Sequence, residues 1–158
     1  MTEFYYFLIS IIFLKISYID FKEKFIYDID LILAAAIITI YNLITAQIIP
    51  MVLGAAVGFF IGYVIYTAAM LIYHEEAFGF GDVLLMAVLG MFLKWPFFIH
   101  CFSISIIFTG FFCILFLIID PKFKNSSIPL APILIFWLPI FYIAGKPTVF
   151  QIIAKICP

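Results

Sequence analysis

Long apolar runs alternate with short polar interruptions along the whole chain, the interruptions falling around residues 20–30, 47, 74–82, 94–96 and 120–127. A helix needs about 20 apolar residues to cross a bilayer, and shorter runs serve where their ends are polar and the bundle is locally thin. The pattern therefore predicts helices over 4–19, 31–46, 50–73, 83–93 extended toward Trp95, 97–119 and 129–144, with 148–156 as a weak short tail. The fold class this implies is all-α: a polytopic integral membrane protein, a bundle of about six transmembrane helices. The fourth run is short, which suits a helix packed inside the bundle better than one facing lipid. Pro50, Pro96, Pro121 and Pro147 punctuate the boundaries. With Asn125-Ser126-Ser127 a plain polar loop and no repeat array or low-complexity linker, residues 1–158 read as one membrane-embedded domain.

Composition strengthens that picture. Of 158 residues, 68% are hydrophobic and 11% charged, with a mean hydropathy of +1.31, whereas soluble domains are roughly half apolar. Net charge is −1 and the basic residues are scattered lysines without any arginine, so there is no basic face for a nucleic-acid backbone. Cys101, Cys113 and Cys157 are odd in number and far apart, fitting packing rather than a disulfide framework or a zinc pattern. His74 and His100 lack ligand-type neighbours at metal-binding spacing, so neither a metal nor another cofactor is expected. The apolar start at 4–19 has no basic leading region and no small-residue cleavage site, and reads as a retained first membrane helix.

Gly54, Gly58 and Gly62 recur every four residues, giving the third helix a smooth strip for close helix approach. Such a strip serves internal packing or a homodimer face, and internal packing is the expected use. Counting crossings puts Lys22, Lys24, Lys122 and Lys124 on one side and Lys94, Lys146 and Lys155 on the other; the positive-inside rule assigns the first set to the cytoplasm. Asp20, at the exit of the first helix, and Asp82, at the entrance of the fourth, are an even number of crossings apart and so reach the same membrane face.

The segment Glu75-Glu76-Ala77-Phe78-Gly79-Phe80-Gly81-Asp82 is a charged, glycine-bearing break between two apolar runs. Two readings compete at Asp82: an N-cap for the helix from Val83, or a functional acid, since isolated charge in hydrocarbon is costly. Paired with Asp20 in a poorly hydrated site, it would share a proton, taking one from water that attacks a peptide carbonyl and returning one to the leaving amide. This is the aspartic-protease arrangement. Gly79 and Gly81 would allow backbone conformations closed to other residues and leave room for a peptide. Asp28 and Asp30 fit capping of the second helix, Asp120 a boundary, and Lys15 a snorkelling cation in preference to a partner for the acids.

Gly79-Phe80-Gly81-Asp82 with the following Val83–Gly90, and Glu76-Ala77 ahead of it, resembles the GxGD segment of the type IV prepilin peptidases. Ile19–Asp28 resembles that family's first motif, and Ile128-Pro129-Leu130-Ala131-Pro132 its late Pro-x-x-Pro segment. The resemblance implies Asp20 and Asp82 as the catalytic dyad, with Gly79, Gly81 and Glu76 shaping the site. It also implies prepilins or pseudopilins as substrates and partners, cut after a short basic leader at the cytoplasmic face of a prokaryotic inner membrane. Tyr27 stands where proline is usual and Leu84 where many members have lysine. The CxxC-bearing N-terminal extension linked to N-methylation does not precede the first motif, so peptidase activity is expected and methylation is left open. Two rival classes are a small proton-coupled transporter and a non-enzymatic membrane scaffold. No inverted repeat supports the first, and the second would tolerate Asp82→Asn, because asparagine also caps.

Overall fold

A computed structural model describes residues 2–73, 79–119, 131–132 and 134–136, of which 2–3, 73 and 112–119 are described as backbone alone. These residues form helices: α1 Thr2–Glu23, α2 Asp28–Ile44, α3 Ile48–Tyr73, α4 Phe80–Leu93 and α5 Trp95–Ile119. Residues 131–132 and 134–136 are also helical. The rest of the expected sixth helix and the tail at 148–156 lie outside the described residues. Among the described residues there is no strand.

Each helix is apolar nearly all round, and packing selects the buried side. On α1 the buried positions Tyr5, Ile9, Ile12, Phe13 and Ile16 recur at helical spacing, while Phe4, Phe7, Ile11, Leu14, Tyr18 and Phe21 form an equally regular exposed stripe. In water such an outward stripe would be unfavourable, and a soluble helix carries polar residues there. Two helices, Phe4–Glu23 and Ile48–Ile72, are long and apolar enough to cross a membrane by length and composition; Phe80–Leu93 and Trp95–Phe111 are shorter apolar segments.

Short α4 occupies the interior, as its length suggests. Val83, Leu85, Met86, Val88, Leu89 and Gly90 are all buried, and the helix contacts α2, α3 and α5. Its most extensive partner is α3. There the glycine strip finds its use: a Cβ on Gly54 would overlap the Gly90 carbonyl oxygen, and one on Gly58 the Met86 carbonyl oxygen. The two backbones therefore touch, as small-residue strips permit, and the strip is taken up within the chain. Tyr5 of α1 stacks on Tyr41 of α2 with ring centroids 3.8 Å apart, and Phe13 meets Phe92 of α4 edge to face.

Several boundaries differ from the sequence reading. The α4 helix does not extend toward Trp95: Lys94 adopts φ 64°, which breaks the helix, and Trp95 and Pro96 open α5 instead. Proline is tolerated in a first turn because the amide it lacks has no intrahelical partner there. Helix α1 runs four residues beyond 19, which places Asp20 inside its last turn rather than past its end. Cys101 is buried, as a packing residue.

Candidate functional site

Asp20 continues the buried stripe of α1, four residues after Ile16, and is only 5% exposed. A buried carboxylate needs compensating donors. One is the main-chain N–H of Ala131, which donates to Asp20 Oδ2 at 2.9 Å. The late proline-flanked segment is thereby joined to the end of α1 across 111 residues of chain.

Asp82 does not occupy the N-cap of α4. That position belongs to Gly79, and Asp82 is the third residue of the helix. Its N–H donates to the Gly79 carbonyl at 3.1 Å, and its carboxylate lies beside the Gly79 main chain. An acid placed here meets the positive end of the helix dipole. One of its carboxylate oxygens, Oδ1, is buried without a hydrogen-bond partner. Leaving a buried polar atom unsatisfied costs about 1–3 kcal/mol.

The last turn of α1 and the first turn of α4 bring the two acids together, close enough for the charge on Asp20 to act on Asp82. Two negative charges in so poorly hydrated a place repel each other.

The glycines contribute space, not unusual backbone. Among the described residues no glycine has positive φ, and Gly79 is extended at φ −72° and ψ 141°; the expected conformational freedom is not used. Close approach explains them instead. A Cβ on Gly81 would lie 3.3 Å from Ile26 Cβ, and one on Gly79 3.3 Å from Asp82 Oδ2. Glu76, with His74 and Glu75, lies outside the described residues.

The remaining acids of the corner behave differently from expectation. The N-cap of α2 is Tyr27, with no side-chain cap bond; Asp28 and Asp30 sit within the first turn. Asp30 is buried and forms an ion pair with Lys15 at 2.6 Å, so Lys15 does not simply snorkel. Tyr27 donates its hydroxyl to Glu23 Oε2 at 2.9 Å, and this bond holds the phenol above its ordinary pKa, keeping it a donor. Leu84, at the position where lysine is common, packs partly buried against the core. The contribution of the Ala131 amide was not foreseen. The Pro-x-x-Pro resemblance marked the segment, but nothing in it indicated which main-chain group would point at Asp20. Among the described residues no group of three or more potential metal ligands occurs.

Fold and site together define a class: an all-helical protein with apolar helices long enough to cross a membrane and two acids gathered between helix ends. The family model for the type IV leader peptidase family matches residues 7–115, a span that includes Asp20, Gly79, Gly81 and Asp82. The chain belongs to that family, and is thus a protease of the leader-peptidase kind. No curated protein and no solved structure matches it.

Proposed function

We propose that this chain is a multi-pass membrane aspartic endopeptidase that removes the short basic leader from prepilin-like or pseudopilin substrates at the cytoplasmic face of the inner membrane, with Asp20 and Asp82 as its dyad. The observation that supports this most is the approach of two carboxylates from separate helices, Asp20 held by the Ala131 main-chain N–H and Asp82 keeping a buried oxygen unpaired. Anchored by that amide, Asp20 keeps its orientation while a proton moves between the acids and a water molecule.

In the reaction the water oxygen bonds to the scissile carbonyl carbon as the ionised member of the dyad takes one water proton. The protonated member supplies a proton to the leaving nitrogen, the C–N bond breaks, and an acid and an amine result. The dyad ends with the proton count it began with. The exposed carboxylate of Asp28 beside the α1–α2 corner would favour a basic leader on approach.

Coexpression with a prepilin-like substrate tests the assignment. Asp20→Asn and Asp82→Asn should each abolish the leader-cleavage shift on a gel, because asparagine cannot exchange the proton and general acid–base catalysis contributes about 10²–10⁴-fold. Cleavage by both variants at the wild-type rate would refute the dyad and return Asp82 to a helix-start role.

A further inference from the structure

Lys15 and Asp30 form an ion pair within an apolar helix pair, outside the dyad. Lys15 Nζ lies 2.6 Å from Asp30 Oδ1, and the two ends differ sharply in environment: the Lys15 side chain is 58% exposed, that of Asp30 7%. Asp30 begins the buried stripe of α2 that continues through Ala34, Ile38 and Asn42. A pair with one end this exposed is weak support for stability; the best-attested use of a pair with a buried member is to fix register.

The register in question is that of the α1–α2 corner. The pair joins α1 to the first turn of α2, closing a loop that contains Asp20 and residues 24–27. Within it Lys24 takes φ 55°, Tyr27 is tied to Glu23, and Ile26 is buried. Ile26 is also the side chain that a Cβ on Gly81 would crowd, at 3.3 Å. The corner therefore carries one acid on its α1 arm and rests directly on the residue preceding the other.

We infer that the Lys15–Asp30 pair is a positioning device: it locks the α1–α2 corner so that Ile26, seated on Gly81, sets Asp82 opposite Asp20. The catalytic consequence rests on the endopeptidase reading; the structural one does not. Sliding α1 against α2 would displace Asp20 and the Ile26 seat together, and displacements of about 1 Å far from the chemistry can cost 10²-fold in rate.

The test uses full-length protein in lipid nanodiscs with a peptide substrate bearing a basic leader, and follows kcat, KM and amide hydrogen exchange. The double variant Lys15→Met/Asp30→Asn leaves no unpaired buried charge and so keeps the fold. Its kcat should fall about ten- to hundredfold with KM changed less than about twofold, and exchange over 28–31 and at the start of α4 should quicken. Lys15→Arg, which retains the pair, should stay near wild type. Ile26→Ala, which keeps the pair but weakens the seat, should lower kcat in the same way. Wild-type kcat and exchange in the double variant would overturn the inference, as would a fall in kcat with exchange unchanged. Were the wild type itself unable to cleave, the endopeptidase reading would fail while faster exchange in the double variant would still support the brace.

Discussion

Gly81→Ala separates stability from activity at the proposed dyad. The added methyl would sit 3.3 Å from Ile26 Cβ and 3.8 Å from the Ile26 carbonyl oxygen. Optimal carbon–carbon contact lies at about 3.5–4.0 Å, so the start of α4 and the corner must part by roughly 0.2–0.7 Å. Overpacking of this kind costs about 1–3 kcal/mol. Alanine regains about 1 kcal/mol over glycine inside a helix, and Gly81 is the second residue of α4. The net loss of stability should therefore be no more than about 2 kcal/mol, leaving a folded protein. Activity should suffer more, because the displacement falls on the residue next to Asp82. We expect kcat to drop about tenfold or more while KM moves little. Thermal unfolding in detergent measures the first quantity, and initial rates of leader cleavage in nanodiscs the second. A variant that folds normally and cleaves at the wild-type rate would show that contact between Ile26 and Gly81 does not set the position of Asp82. The reasoning would then be wrong at its central step.

Gly54→Ala should destabilise the protein by about 1–3 kcal/mol or more, since its methyl would collide with the Gly90 backbone; an unchanged unfolding temperature would show that α3 and α4 are not in such close contact. Gly62→Ala should be milder, its nearest neighbours including the flexible end of Met86. Tyr27→Pro should be tolerated with little net change in stability, the gain through the unfolded chain being offset by loss of the Tyr27–Glu23 hydrogen bond. The reason is that φ at Tyr27 is −78°, within proline's range, so the ring fits the start of α2; a marked fall in unfolding temperature would contradict this.

The apolar runs by themselves determined that helices form and roughly where, because burying a backbone among apolar side chains requires its polar groups to bond within the segment. They also indicated that α4 is interior and that the glycine strip of α3 serves packing, since helix length and four-residue spacing are local properties. The motifs marked Asp20 and Asp82 as the acids of interest, and crossing parity placed them at one end of the bundle. Tertiary structure decided what those residues touch. A cap stayed one of two readings at Asp82 because the chain preceding it does not reveal that Gly79 begins the helix three residues earlier. Lys15 looked like a snorkelling cation because its partner, Asp30, lies across a turn on the neighbouring helix. Most plainly, the Ala131 amide reaches Asp20 from 111 residues away. A main-chain N–H is present at nearly every residue, so only the packing of distant segments can select the one that meets a buried carboxylate.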